Sequence, residues 1–448
     1  MTTSTQDIAG RFATWRRHLP SPYRWATWRW RIFFITWLSY AGFYLTRKGF
    51  SVAKIHLQDA DGFGASVQDL AWIDGVYLTT YAIGQFVWGM SGDRFGTRRI
   101  ILMGMLASVI MAIGMGSSNT LFMLGVFFAV QGLCQSTGWA PLSKNVGQFF
   151  SQPERGIVMG FWCTNYAIGG FVASALAGWA ADQWGWRYAF IVPAIVLFVI
   201  WVLFIFLQRN RPEDVGLSSV EVFQGLEEET AATRATGSWA DVGVVLRTPM
   251  VWLLSAVYFC LKPTRYMVLF WSPMYINEQL GSDMAESGIL GSMFDLAGPI
   301  AVLFGGFMSD KVFSSRRMPM CVIALIGVAF VLFFFRDLPD TRLALGLGFF
   351  AIGFLLYIPD SLVSGTAAID FGGRRGASTA AGLINGFGSI GAIAGGTMPG
   401  WIESFTGEGG DKWGMIFTIM AISVALAAVL LIPQWNRLPA TADLDRQA

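Results

Sequence analysis

Twelve apolar runs recur along the chain, and each is long enough to cross a lipid bilayer as a helix, which takes about 20 residues. They cover residues 30–52, 67–91, 98–117, 120–146, 157–181, 187–208, 248–275, 286–309, 317–335, 342–366, 377–401 and 414–433. Hydrophobic residues make up 54% of the 448 residues and charged residues only 13%, whereas a soluble domain carries roughly a quarter charged residues. The sequence therefore predicts an all-α membrane protein with twelve transmembrane helices.

A polar stretch divides the twelve runs into two sets of six. It is rich in Glu, Thr, Ala and Ser, and it reads as a connection outside the membrane. We predict five regions: a basic and aromatic cytoplasmic N-terminus (1–29), an N-terminal six-helix bundle (30–208), a cytoplasmic linker (209–247), a C-terminal six-helix bundle (248–433) and a cytoplasmic tail (434–448).

Lysine and arginine residues fall mostly on one side of the predicted spans. With both termini in the cytoplasm, the cytoplasmic segments hold 22 of the 31 residues, the spans hold four and the outer loops hold five. The five outer residues are Lys54, Arg187, Arg336, Arg342 and Lys412. Because cytoplasmic loops carry the excess of basic residues, we expect a multi-pass protein of the inner (cytoplasmic) cell membrane with both ends inside the cell.

Four cations lie inside the predicted spans, where charge is expensive. Arg47 and Lys48 belong to the first span, and Lys262 and Arg265 to the seventh. A cation at the centre of a membrane helix costs about 2.5–3.5 kcal/mol on insertion scales, so such residues usually face a cavity or a bundle interior. Snorkelling towards the headgroups is the alternative for the first pair. The second pair, in a separate span, favours a shared cationic cavity.

The two halves repeat each other. The loop after the second span reads Gly-Met-Ser-Gly-Asp-Arg-Phe-Gly-Thr-Arg-Arg (89–99), and the loop after the eighth reads Gly-Phe-Met-Ser-Asp-Lys-Val-Phe-Ser-Ser-Arg-Arg (306–317). The loop aspartates are 217 positions apart, and Arg47 and Arg265 are 218 apart. A duplicated six-helix unit explains both offsets and puts the site at the interface between the halves. The loop residues that we expect to stabilise one conformational state, through charge pairs and helix-end contacts, are Asp93, Arg94, Arg98, Asp310 and Lys311.

Motifs spread along nearly the whole chain point to one family. They are the 89–99 loop, Tyr40-x-x-x-Tyr44-x-x-Arg47-Lys48, Gly138-Trp139-Ala-Pro141-x-x-Lys144, Ser151-Gln-x-Glu154-Arg155-Gly156, Arg265-Tyr266 followed by Trp271-Ser-Pro273, and Ser309-Asp310-Lys311-Val312-Phe313. The loop is similar to the signature of the major facilitator superfamily. The combination resembles its organophosphate:phosphate antiporters, which include glycerol-3-phosphate and hexose-phosphate transporters.

This resemblance implies a secondary transporter that exchanges an organophosphate for inorganic phosphate by alternating access. It also implies that Arg47 and Arg265 hold the phosphate group. The chemistry supports that role independently, because a phosphate monoester carries roughly 1.5–2 negative charges and three strong acceptor oxygens near neutral pH. Two planar guanidinium forks suit bidentate recognition of such a group. One fork from each half would make the anion a bridge between the halves.

Further polar residues on the same spans are candidates for contact with the substrate. They are Lys48, Lys262, Tyr40, Tyr44, Gln135, Asn165, Tyr166 and Tyr266. For Gln135, Asn165 and Tyr166, a structural hydrogen bond between helices is an equally good interpretation.

Two aspartates inside the spans, Asp295 and Asp360, are candidate gates or charge partners. In the functional interpretation, a carboxylate pairs with Lys48 or Arg265 in the empty site and substrate phosphate displaces it. In the alternative interpretation, each forms a permanent structural ion pair, because an unpaired buried charge costs several kcal/mol.

Four positions depart from the glycerol-3-phosphate branch of the resembled family. Gln85, Tyr166, Lys262 and Phe270 stand where that branch carries lysine, histidine, tyrosine and aspartate. The organic part of the substrate is therefore left open. Lys262 lies three residues before Arg265 and shares its helix face. It is a candidate to contact a second acidic group of the substrate, as in a phosphoglycerate, or to form a structural pair with an aspartate.

Two other functions fit the same composition. A proton-coupled symporter of another small anion would use a titratable carboxylate or histidine without a standing cationic partner, and a sugar-phosphate sensor of the same family would keep the same site. The sequence has no nucleophile–base pair, phosphate-cradling loop or metal-ligand spacing, so we expect no enzyme, metal or cofactor. We expect the partners to be an organophosphate, inorganic phosphate and the lipid bilayer, without nucleic acid, and the protein to function as a monomer.

Overall fold

The computed structural model describes residues 22–59, 62–95, 97–150, 158–218, 245–314, 316–407 and 411–437. Within these residues the chain forms thirteen α-helices. They are α1 (Pro22–Leu57), α2 (Val67–Phe95), α3 (Thr97–Gly116), α4 (Leu121–Gln135), α5 (Trp139–Gly147), α6 (Thr164–Trp184), α7 (Tyr188–Leu207), α8 (Pro249–Leu280), α9 (Met284–Lys311), α10 (Arg317–Phe334), α11 (Arg342–Ser361), α12 (Ala368–Thr406) and α13 (Lys412–Leu431).

The helices follow the predicted apolar runs, with breaks at Cys163 in the run 157–181 and within the run 120–146. The run 120–146 forms two helices, α4 and α5, separated by three residues that end at Gly138. Pro141 in the first turn of α5 has no N–H to donate to the carbonyl four residues earlier, so it cannot continue the helix backwards. α1 is described from Pro22 onwards, so part of the predicted N-terminal region belongs to this helix.

By length and composition alone, six of the described helices are apolar enough to cross a bilayer: α3, α7, α9, α10, α11 and α13. Among the remaining long helices, α1 carries Arg47 and Lys48, and α8 carries Lys262 and Arg265. These cations lower the apolarity of α1 and α8, and both helices contribute to the interface between the halves.

The two halves of the molecule meet mainly where α1 packs on α8, α2 on α12, and α6 on α9, with a smaller contact between α1 and α9. Small residues allow close approach where α6 ends and α9 begins, since a Cβ on Gly178 would lie 2.7 Å from the Met284 carbonyl oxygen. Where α12 ends and α2 begins, a Cβ on Gly400 would lie 2.6 Å from the Ala71 Cβ. We call this end of the molecule the closed end.

The opposite end of the same helices is less tightly packed in the part of the chain that the structure describes. A Cβ added to Gly160, in the helical turn before α6, would meet no heavy atom within 4 Å, and the same holds for Gly382 on α12. We call this end the open end. Among the described residues, tight contact between the halves is therefore found at the closed end, and these two glycines of the open end make no such contact.

Candidate anion-binding site

Arg47 on α1 is buried and has no carboxylate partner among the described residues. Its Nε donates to the Gln135 side-chain oxygen at 3.0 Å, and its guanidinium lies over the rings of Tyr44 and Tyr81 at 4.5 and 4.9 Å. The Nη2 group is buried and has no hydrogen-bond partner in the described structure. Because an unsatisfied buried charged donor is costly, this nitrogen is a favourable position for an anion to bind.

Gln135 at the end of α4 holds Arg47 in place. Its side-chain oxygen also accepts a hydrogen bond from the Tyr77 hydroxyl at 2.8 Å, and its amide nitrogen donates to the Thr46 hydroxyl at 3.0 Å. Gln131, one turn earlier, donates to the Thr46 carbonyl at 2.8 Å. The α4 glutamines therefore fix the position of α1 at the point where the guanidinium leaves the helix.

Arg265 on α8 differs from Arg47 in having a counter-ion. Its Nη1 lies 2.5 Å from Asp360 Oδ2 of α11. The other carboxylate oxygen accepts a hydrogen bond from the Tyr258 hydroxyl at 3.0 Å and lies 3.8 Å from Lys262 Nζ. The Arg265 guanidinium also lies 4.9 Å from the ring centroid of Tyr166, on α6 of the other half, so it contacts both halves.

Lys48, beside Arg47 on α1, pairs with the second predicted aspartate. Its Nζ lies 3.0 Å from Asp295 Oδ2 of α9, and the Tyr357 hydroxyl donates to Asp295 Oδ1 at 2.8 Å. This ion pair joins the two halves. Lys48 and Lys262 each interact electrostatically with both Arg47 and Arg265. The four predicted cations and two predicted aspartates therefore form one group, the central cluster: Arg47, Lys48, Lys262, Arg265, Asp295 and Asp360.

The remaining predicted residues surround this cluster. Tyr40 packs against Tyr44 and Trp139 at 5.9 and 5.3 Å between ring centroids. Tyr266 lies 5.5 Å from Lys262 Nζ and packs on Phe270 at 5.7 Å.

Tyr166 and Asn165 on α6 complete the predicted set. The Tyr166 ring stacks on the Tyr357 ring across the two halves at 5.7 Å. Asn165 is fully buried, and neither atom of its side-chain amide has a hydrogen-bond partner in the described structure.

One buried ion pair was not predicted from the sequence. We predicted Lys54 to lie in an outer loop, and this was wrong. Lys54 is fully buried at the end of α1 and pairs with Asp74 of α2. The error follows from position, because Lys54 stands just beyond the apolar run although α1 continues to Leu57. Asp74, an acid inside the second apolar run and one turn beyond Asp69 near its start, was the available signal.

Lys54 belongs to a contact between α1 and α8 towards the closed end. Pro273 in α8 has no N–H, so the Leu269 carbonyl lacks its partner within the helix. Lys48 Nζ and the Ser51 hydroxyl donate to this carbonyl at 3.1 and 3.3 Å. The next carbonyl, that of Phe270, accepts from Ser51 at 2.9 Å and from Lys54 at 3.1 Å. We call this group the α1–α8 latch.

Charge does not balance in the buried part of the described structure. The buried cations number five and the buried acids three; they are Arg47, Lys48, Lys54, Lys262 and Arg265, against Asp74, Asp295 and Asp360. The difference is two positive charges. Such a surplus in a low-dielectric interior favours binding of an anion with about two negative charges.

The loop motifs are only partly visible. Arg98, at the start of α3, donates to the Gln208 carbonyl at 2.6 Å and also to the Ile205 carbonyl, so it contacts the C-terminal end of α7 within one half. Lys311 is exposed at the end of α9. The side chains of Asp93, Arg94 and Asp310 lie outside the described part of the structure.

Two helical halves that meet around a buried charged cluster define a multi-pass membrane transporter and not an enzyme. The chain belongs to the Major Facilitator Superfamily, whose family model matches residues 32–396. A crystal structure of a bacterial homologue of the human lysosomal transporter Spinster, inward-facing and unoccupied, has the same fold with a TM-score of 0.70. It is 15% identical and covers 93% of this chain and 96% of that one. The predicted fold class is thereby confirmed.

Curated relatives extend the comparison. The probable hexose phosphate transport protein of Chlamydia trachomatis serovar D is 28% identical over 424 residues, covering 91% of each chain. The membrane sensor protein UhpC of Escherichia coli K12 is 27% identical over 440 residues, covering 97% of this chain and 95% of its own. These relatives confirm the resemblance predicted from the motifs.

Proposed function

We propose that this protein is a secondary transporter that exchanges an organophosphate for inorganic phosphate by alternating access. One observation carries the proposal: Arg47 and Arg265 come from opposite halves of the molecule and share a buried cluster with two surplus positive charges. Arg47 also has a buried donor, Nη2, with no partner among the described residues. A phosphate monoester supplies about two negative charges and three acceptor oxygens, which matches the surplus and both guanidinium forks.

The contacts between the halves suggest how binding is linked to transport. At the closed end, α6 packs on α9 and α2 on α12, and this end contains Lys54 and the starts of α2 and α9. We propose that the loops with the excess of lysine and arginine lie in the cytoplasm. The closed end would then face the outside of the cell, and the protein would be an inward-open transporter of the inner membrane with cytoplasmic termini. Phosphate that bridges Arg47 and Arg265 would draw the open end together and allow the α1–α8 latch to separate.

Reconstitution of the purified full-length protein in liposomes tests this function. Vesicles loaded with inorganic phosphate are expected to take up radiolabelled phosphate or hexose phosphate, and uptake should persist when a protonophore collapses the proton gradient. Uptake that does not depend on phosphate inside the vesicles, and that stops when the protonophore is added, would establish a proton-coupled symporter instead.

A sensor is the second candidate, because the relative named membrane sensor protein UhpC matches 97% of this chain. Binding of phosphate or sugar phosphate without any exchange in the same vesicles would establish that function. Reconstitution also tests the proposal that the protein functions as a monomer. The exchange rate per protein molecule should not change as the number of protein molecules per vesicle is lowered to about one.

A further inference from the structure

Asp360 is shared by two buried cations, and in this it differs from the other buried acids of the described structure. Asp295 pairs with Lys48 alone, and Asp74 with Lys54 alone. Asp360 instead holds Arg265 at 2.5 Å while Lys262 lies 3.8 Å away on its other oxygen. The 3.8 Å between Lys262 Nζ and Asp360 is at the outer limit of an ion pair, so Lys262 lies close to Asp360 but forms no short contact with it.

Binding of an anion to Arg265 creates a conflict at this carboxylate. Asp360 occupies Nη1 of Arg265, so a phosphate that binds both nitrogens of the guanidinium fork competes with Asp360 for this one, and the two anions repel each other. A displaced carboxylate that finds no new cation would cost several kcal/mol in a buried site. The site therefore needs a second cation that the Asp360 carboxylate can reach by a small movement of its side chain.

Lys262 meets that requirement. It lies one helical turn before Arg265 on α8, so the two side chains are neighbours. Cation–π contacts hold its ammonium over the rings of Tyr258 and Tyr266, at 4.7 and 5.5 Å from the centroids. Tyr258 also donates to the oxygen of Asp360 that faces Lys262, so one tyrosine contacts both residues.

The backbone next to Asp360 is irregular in a way that suits a moving side chain. Pro359 precedes Asp360 within α11, and a π-helical segment, Leu362–Ala367, begins two residues after it. Such segments interrupt the regular helical hydrogen bonds and occur frequently at functional sites.

We propose that Asp360 transfers from Arg265 to Lys262 when the anion binds, and that Lys262 is the positioning residue that keeps this carboxylate neutralised. The identity of the anion as phosphate rests on the proposed function. After the transfer every buried charge of the described residues has a partner: the dianion with both arginines, and Asp360, Asp295 and Asp74 with one lysine each. The dianion then compensates the two surplus positive charges.

This transfer differs from the two interpretations of Lys262 that the sequence left open. A lysine that contacts a second acidic group of the substrate would affect the affinity for that substrate and leave the affinity for inorganic phosphate unchanged. A lysine in a permanent structural pair would affect folding. In the transfer mechanism, Lys262 affects the affinity for inorganic phosphate, and only through Asp360.

A double-mutant cycle on the full-length protein in detergent or nanodiscs, with inorganic phosphate as the probe, tests the transfer. Lys262→Gln should weaken phosphate binding about tenfold, because neighbouring charged residues couple this strongly. Asp360→Asn alone should tighten it, since Arg265 loses its competitor. The double variant Lys262→Gln/Asp360→Asn should bind phosphate at least as tightly as the wild type, since no carboxylate needs a new partner.

Two controls keep the outcome clear. Lys412→Gln removes a lysine that pairs with Glu278 and Glu403 outside the central cluster, and it should change nothing. Lys262→Arg keeps a positive charge and should bind phosphate within about threefold of the wild type, which also tests the proposal if Lys262→Gln fails to fold.

A double variant as weak as Lys262→Gln, or Lys262→Arg with greatly reduced affinity, would overturn the transfer. So would a Lys262→Gln variant that folds and binds inorganic phosphate normally. If the wild type binds neither phosphate nor sugar phosphate, the proposed function itself fails.

Discussion

The two arginines occupy equivalent positions in the repeated halves but have different surroundings. Each guanidinium lies over two tyrosine rings: Tyr44 and Tyr81 for Arg47, and Tyr166 and Tyr357 for Arg265. Arg47 is held by the neutral side chain of Gln135, and its Nη2 donor has no partner in the part of the chain that the structure describes. Arg265 is occupied by a carboxylate.

This difference indicates what each half contributes to the site. The duplicated scaffold sets the positions of the two cations and of the aromatic rings, which hold a charged group in place without neutralising it. Among the described residues, a carboxylate counter-ion is found only for the arginine of the C-terminal half, where Asp360 pairs with Arg265. We therefore expect an incoming anion to bind the free donors of Arg47 first and to complete the bridge only when it displaces Asp360 from Arg265.

The largest expected effect comes from changing either arginine to lysine. Lysine keeps the charge and loses the planar fork, so Arg47→Lys and Arg265→Lys should each lower exchange in liposomes about a hundredfold or more. Both proteins should be produced and purified at normal levels. Exchange near the wild-type rate in either variant would mean that bidentate binding is not required at that position.

A second prediction separates the two arginines by the sign of the effect. Gln135→Leu removes the neutral group that orients Arg47, so phosphate affinity should fall about tenfold. Asp360→Asn removes the competitor of Arg265, so phosphate affinity should rise. Equilibrium binding of phosphate measures both changes. Effects of the same sign would show that the surroundings of the two arginines do not differ in function.

A third prediction concerns the Lys54–Asp74 pair. Lys54→Gln weakens the α1–α8 latch, because Lys54 donates to the Phe270 carbonyl and lies 3.6 Å from the Trp271 ring centroid. The outward-open state should become several-fold more populated, within the 1–3 kcal/mol typical of a coupled contact.

Thiol accessibility measures that shift. In a chain without its four natural cysteines, Leu78→Cys places a thiol on α2 at the closed end, where Leu78 faces Gly396 of α12. A membrane-impermeant reagent applied outside should label it faster in the Lys54→Gln background. Lys412→Gln serves as the control, and equal labelling rates in all three backgrounds would exclude a latch role for Lys54.

The smallest effect is expected for Tyr166→Phe. The ring over Arg265 remains and only the hydroxyl is lost, so exchange should change by less than about threefold. Tyr166→Leu removes the ring and should lower the exchange rate more than Tyr166→Phe does. If the phenylalanine variant loses exchange as fully as the leucine variant, the hydroxyl contacts the substrate directly.

Much of this site was predictable from the sequence, because charge inside an apolar run has few explanations. Arg47, Lys48, Lys262 and Arg265 were found in this way, and the structure brings them together with Asp295 and Asp360. The sequence named the two aspartates as charge partners, but not which aspartate pairs with which cation, since Arg265 and Asp360 are 95 positions apart and pair through the packing of α8 against α11.

Two features were not predicted correctly from the sequence: the burial of Lys54 and the break between α4 and α5. Lys54 stands at the edge of an apolar run, where a loop residue and a buried residue look alike in sequence. The break after α4 depends on the backbone near Gly138 and Pro141, which hydrophobicity does not report.

The central claim is that one anion binds to both arginines at once, and a double-mutant cycle on phosphate affinity tests it most directly. Equilibrium binding of inorganic phosphate would be measured for the wild type, Arg47→Lys, Arg265→Lys and the double variant. If both forks hold the same phosphate, each single variant loses most of the affinity and the double variant is little worse than either. Losses that add in full, or wild-type affinity in one single variant, would show that the arginines do not share a ligand.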